Sequence, residues 1–229
     1  MTNASTYLDT PIWNALTTHH AEYALSSGLA CCYPADAAPF AAVAAPTAEA
    51  FRSLATLRQR GEVAALIGTP TDIGEEWELV MQIALVQMIY EGAPVEAITG
   101  EDAIVTLTPA DIPAILELID LTRPGPFFPR TSELGHYVGI WQNGRLAAMA
   151  GQRLYFPNYH EISAVCTHPD FQRRGYARAL ILYLMREIQR EGDTPFLHVF
   201  SKNLTAQALY EKMGFNRRTE VPVFTLLRK

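Results

Sequence analysis

Apolar and polar positions alternate with two periods in the second half of the chain. From Ala177 onward, Leu180, Ile181, Leu184, Met185 and Ile188 fall three and four apart, the spacing of one helix face, and Gly192 ends the run. Runs at Tyr137–Gln142 and Arg145–Phe156 read as strands around Asn143-Gly144, a pair that accepts the left-handed backbone of a two-residue hairpin. Glu161–Thr167, Pro195–Phe200 and Val221–Leu227 read as further strands, and Leu204–Lys212 as a helix closed by Gly214. Ile104–Leu107 is a strand, and Thr108-Pro109-Ala110-Asp111 opens a helix carrying Ile115, Leu116 and Ile119.

The first half is less regular. Thr10-Pro11 starts a helix, and short apolar runs follow at Leu29–Tyr33 and Phe40–Ala45. Thr47–Arg60 reads as a helix stopped by Gly61, and Glu62–Ile67 and Trp77–Tyr90 as strands. The apolar pattern lapses between Glu91 and Asp102, with Gly92, Pro94 and Gly100, which sets a boundary there. The expected architecture is mixed α/β (α+β). Residues 99–229 form a central sheet flanked by helices, and residues 1–98 a smaller, non-catalytic α/β lobe.

Composition narrows the function. Hydrophobic residues make up 49% of the 229 and charged residues 18%, enough apolar surface for a real core. A net charge of -6 argues against a nucleic-acid partner. No apolar run reaches the ~18 residues of a membrane span, and Met1–Asp9 lacks a signal peptide's basic start and apolar stretch. Cys31, Cys32 and Cys166, an odd count with an adjacent pair, suit reduced thiols in the cytoplasm. Oligomeric state is not readable.

The candidate chemistry lies at Gln172-Arg173-Arg174-Gly175-Tyr176-Ala177, between a strand and a long helix. Amides at such a helix start lack intrahelical acceptors, and with the positive end of the helix dipole they can cradle a pyrophosphate. Gly175 permits close backbone approach, and the two arginines add charge. The order of elements, the strand ending Val165-Cys166-Thr167-His168-Pro169, and the segment from Asn203 through Leu204, Ala206, Ala208, Leu209, Tyr210 and Met213 to Gly214-Phe215 together resemble the GNAT superfamily of coenzyme A-dependent N-acetyltransferases. The resemblance covers Ile104 to Lys229, and is nearest to the branch containing glycine N-acyltransferase-like proteins.

That resemblance implies a GNAT-like sheet and acetyl-CoA as co-substrate. It implies that Val165, Cys166 and Thr167 lie along the pantetheine arm, that Gln172 to Arg178 hold the pyrophosphate, and that Asn203 hydrogen-bonds the cofactor. Ala177 stands where the family often has glycine. Tyr210 would protonate the departing thiolate, a role a positioned phenol can fill; packing beside Leu209 and Met213 is the other reading. The N-terminal lobe is then either a degenerate GNAT copy or an unrelated cap. Its crossover, Ala45-Pro46-Thr47-Ala48-Glu49-Ala50, lacks a donor at Pro46 and adds a negative charge at Glu49, so no cofactor is expected there.

Glu161 is the candidate base: by alternation it lies on the face of Ser163, Val165 and Thr167, and its place fourteen residues before Gly175 resembles that of the general-base glutamate in the histone-acetyltransferase branch. Partial enclosure would raise its pKa toward neutrality; a solvated strand-end carboxylate is the alternative. His198 is the other candidate base, or a satisfied core histidine. Alternation places Cys166 on the opposite face, as a small buried side chain. The six histidines show no metal-ligand spacing, so no metal is expected. The loop Thr122–Thr131 holds three prolines, with Arg123, Phe127, Phe128 and Arg130. It reads as an acceptor-binding lip or as a packed, rigid connection. The expected acceptor is a primary amine of a small molecule or amino acid, with a protein N-terminus also open, and transfer is direct. A catalytically silent acyl-CoA-binding protein is the alternative.

Overall fold

A computed structural model of the chain describes residues 4–68 and 71–229; the first three residues of the N-terminal segment read above lie outside it. In the N-terminal half, α1 (Pro11–Thr17) precedes three short strands, β1 (Leu25–Ser27), β2 (Ala30–Cys32) and β3 (Ala41–Val43), which form their own antiparallel sheet. Helix α2 (Ala48–Ala55) follows, capped by the Thr47 hydroxyl, then β4 (Val63–Ile67) and β5 (Trp77–Ile89). The second half runs β6 (Ile104–Thr106), α3 (Ile112–Thr122), β7 (Tyr137–Gln142), β8 (Arg145–Phe156) and β9 (Tyr159–Thr167). It continues with α4 (Tyr176–Arg190), β10 (Thr194–Phe200), α5 (Leu204–Lys212) and β11 (Asn216–Arg228).

Local chemistry explains most of these boundaries. Thr108 and Asp111 form a reciprocal cap ahead of α3, with the Thr108 N–H donating to Asp111 Oδ2 at 2.7 Å. Asn143 (φ 52°) and Gly144 (φ 75°) supply the two left-handed residues of the β7–β8 turn. The helix expected over Thr47–Arg60 stops at Ala55, and β11 begins five residues before the expected Val221.

The large sheet has eight strands in the order β4-β11-β5-β10-β9-β8-β7-β6. Strand β5, assigned from the sequence to the N-terminal lobe, runs antiparallel between β10 and β11. The two halves are therefore joined by backbone hydrogen bonds inside one sheet. One face packs on α4 and α5 through Val138, Ile140, Ala148, Ala150, Ile162, Leu197 and Val199. The other is covered by α3 at Leu107, Tyr137, Met149 and Cys166, by α1 at Leu154, Phe156 and Phe196, and by α2 at Trp77, Phe224 and Leu226.

Two irregularities shape the middle. Strands β9 and β10 pair in parallel only between Tyr159–Glu161 and Thr194–Phe196; beyond that they part. In the β8–β9 ladder, Met149 pairs with Cys166 but Gly151 with Ser163, so β9 carries an extra residue around Ala164, whose φ is 52°. Past this bulge the alternation reverses. Val165 packs toward α4 and α5, while Cys166 joins the α3 side, the face that also carries Ser163. The expected common face for Glu161, Val165 and Thr167, and the opposite face for Cys166, are thereby overturned.

Candidate active site

The parting of β9 and β10 makes a cleft whose walls are the C-terminal ends of the two strands. At its mouth, Gln172, Arg173, Arg174 and Gly175 are exposed. Arg173 (φ 60°) and Gly175 (φ 81°) adopt left-handed backbone that turns the chain into α4. The helix's first backbone bond runs from the Ala179 N–H to the Gly175 carbonyl, 3.0 Å. Tyr176, Ala177 and Arg178 thus begin the helix with amides that have no intrahelical acceptor, beside the side chains of Arg173, Arg174 and Arg178. The Arg174 guanidinium sits 5.2 Å over the Phe171 ring. Free amides at a helix start beside guanidinium groups suit an anion.

Across the cleft, α5 starts at Asn203, whose Oδ1 accepts the Ala206 N–H at 3.1 Å. The turn before it is fixed by Gln207, which donates to the carbonyls of Phe200 and Ser201. Tyr210 is 8% exposed, and burial pushes its phenol up to about 12, so the hydroxyl keeps its proton at neutral pH. Its ring packs 6.0 Å from Phe215.

Glu161 departs from expectation. It is 1% exposed, on the face covered by α1, at the crotch where β9 and β10 separate. Two residues of β8, Arg153 and Leu154, oppose it. Arg153 donates to both carboxylate oxygens, at 3.0 and 2.9 Å, and His198 Nδ1 lies 2.8 Å from Oε1. Burial alone would raise the Glu161 pKa, but Arg153 and His198 outweigh it and hold the carboxyl down to about 2. The expected upward shift is reversed, and a carboxylate so occupied is a poor base.

The network extends outward. His198 Nε2 lies 3.1 Å from Gln87 Nε2, and Gln87 also donates to the Leu8 carbonyl and accepts from Arg218. With Gln87 donating, His198 carries its proton on Nδ1 toward Glu161, so neither ring nitrogen is free. His198 is the satisfied core histidine of the two readings. Arg153, Gln87 and Arg218 were not singled out from the sequence; the available signal was an arginine well inside the long strand β8.

The remaining candidates separate. Cys166 is buried, and burial pushes its thiol up to about 11, opposite to what a nucleophile needs. In the Thr122–Thr131 loop, Phe127 packs edge-on against Tyr137 at 5.4 Å. Arg130 is engaged by Asp36 at 3.2 Å and Glu133 at 2.9 Å, and Thr131 donates to the Ala37 carbonyl. These contacts make the segment a packed connection to the N-terminal half and occupy the guanidinium expected to meet a substrate carboxylate. Arg123 (φ 48°) ends α3 and stays exposed, and Phe128 is half-buried with its N–H donating to Thr131. A groove of about 790 Å³ lies on the far side of β10, lined by Gln82, Ile83, Phe200, Lys202, Glu220 and Pro222.

A parallel strand pair that forks beside a basic helix start is what the resemblance to coenzyme A-dependent transferases leads one to expect, and similar proteins show the family. The FR47-like protein family profile matches residues 137–223. The [ribosomal protein bS18]-alanine N-acetyltransferase of Escherichia coli K12 is 32% identical over 124 residues, which cover 52% of this chain and 83% of that protein. The N-alpha-acetyltransferase RimI of Mycobacterium tuberculosis is 34% identical, covering 47% and 70%. A GNAT-family protein from Novosphingobium aromaticivorans superposes with a TM-score of 0.88 at 33% identity, covering 97% of this chain and 98% of its own. The chain belongs to the GNAT superfamily and is an N-acetyltransferase. Enzymes of this family take acetyl-CoA as co-substrate.

Proposed function

We propose that this enzyme transfers the acetyl group of acetyl-CoA directly to a primary amine in a ternary complex, and that the amine is an α-amine, of a free amino acid or of a peptide's first residue. The reading rests on the fork between β9 and β10, whose unpaired strand edges leave room for an extended pantetheine arm to add to the sheet. The pyrophosphate sits on the amides from Arg173 to Arg178, and Tyr210 gives its proton to the leaving thiolate. Asn203, though it caps α5, keeps its amide nitrogen for the arm.

With Glu161 and His198 occupied, the amine enters unprotonated or releases its proton to solvent. Support for an α-amine comes from the relatives: the E. coli enzyme acts on an alanine of ribosomal protein bS18, and that of M. tuberculosis is an N-alpha-acetyltransferase. Thiol release from acetyl-CoA tests the reading across free amino acids, polyamines and short peptides with a free first residue. A kcat/KM at least tenfold higher for α-amines supports it, and peptides beating free amino acids would name a protein acceptor. Preference for polyamines would overturn it.

A further inference from the structure

At the opposite end of β9 from the acetyl-transfer cleft, three side chains from separate elements converge. His160, near the start of β9, points its Nδ1 to within 3.4 Å of Glu191 Oε2 and 4.0 Å of Asp193 Oδ2. One donor atom from each of the three lies within 4.8 Å of the others. Glu191 ends α4 and Asp193 precedes β10; Gly192 between them (φ 87°) turns the chain so that both carboxylates face the same point. His160 is 7% exposed, yet its Nδ1 makes no hydrogen bond among the described residues. The Tyr155 ring stacks on the imidazole at 3.7 Å and holds it in place. A buried, fixed nitrogen that faces two carboxylates without a hydrogen bond to either is an unsatisfied polar group that calls for a partner.

We propose that His160, Glu191 and Asp193 bind one divalent transition-metal ion of the zinc class. One imidazole nitrogen and two carboxylate oxygens make a borderline donor set that suits zinc or manganese, with a remaining position for water. The ligands stand thirty-one and two residues apart, so no motif betrays them in the sequence. The site lies where β9 and β10 are still paired: Thr194 donates to the Asn158 carbonyl at 2.8 Å, and only three residue pairs follow before the fork. An ion here clips α4, β9 and β10 together at the closed end, so that the strands part only at the cofactor end.

The test is calorimetric titration of zinc chloride into the tag-free, chelator-treated full chain, with thermal unfolding in parallel. One equivalent should bind and raise Tm. Asp193→Asn and Glu191→Gln should each weaken binding at least tenfold and abolish the rise in Tm, and His160→Gln should remove the site. Because the Glu191 side chain is 54% exposed, its variant keeps the fold even if His160→Gln does not. Failure to bind one equivalent, or binding unchanged in both Glu191→Gln and Asp193→Asn, overturns the proposal. Acetyl transfer measured on the same samples is independent of this outcome.

Discussion

Arg153 and Glu161 are a buried ion pair, and the energetics of such pairs determine what their removal does. Taking away one partner strands a charge in the interior, at a cost of about 3–5 kcal/mol. Glu161→Gln should therefore lower Tm markedly, while the pH–rate profile of the folded variant keeps its shape. A lost or displaced acidic limb would return the base role to Glu161. The pair also sets acid stability. Because the folded pKa of Glu161 is depressed, from 4.5 to about 2, its contribution is complete above 4.5 and lost as pH falls toward 2. Acid unfolding should begin at higher pH in Arg153→Met than in wild type. Tyr210→Phe, by contrast, should lower kcat about ten- to a thousandfold with acetyl-CoA affinity little changed, as loss of a general acid does. The places of the basic loop, Asn203 and Tyr210 in the fold were legible because each sits at a fixed offset from a strand or helix end. The partners of Glu161 were not, since Arg153, His198 and Gln87 meet only through strand pairing over long sequence distances.

Among the elements, the start of α4 and the bulge of β9 carry the most consequence. Gly175 has open space around it, so its constraint is the left-handed backbone alone. Gly175→Val should distort the turn and weaken coenzyme A binding at least tenfold by calorimetry, with little change in core packing. Ala164 occupies similar backbone in the bulge (φ 52°) at a cost of about 1–2 kcal/mol. Ala164→Gly should raise Tm or leave it level, and Ala164→Val should lower both Tm and activity. Strand and helix types were readable from periodicity across most of the second half. The bulge was not, because it breaks the period on which face assignments rest. One inserted residue was enough to exchange the sides of Val165 and Cys166.

For the molecule as a whole, the decisive feature is β5. Read along the sequence, the lapse at Glu91–Asp102 separates two lobes, but hydrogen bonding places β5 among the strands of the second. A chain beginning at residue 99 would leave β10 and β11 with open edges facing a missing neighbour. It should show no cooperative thermal transition, whereas the full chain should unfold in one. Titration of the full chain with coenzyme A should give one site, as the Pro46 and Glu49 crossover predicts for the N-terminal half. Local patterning could not reveal the insertion, because which strand becomes whose neighbour is decided by contacts far apart in the chain. The same feature sets a timetable for synthesis. Strand β5 ends at Ile89, and its neighbour β10 begins only at Thr194. At about 5–20 residues per second, roughly 5–20 s pass at the ribosome before the first partner emerges. The second, β11, comes last, with the Arg228 N–H reaching back to Glu62 and that of Lys229 to Glu76. Throughout that interval β5 waits with both edges bare and with Val86, Met88 and Ile89, all buried in the finished fold, still uncovered, which makes the newborn chain dependent on whatever shields nascent strands from one another.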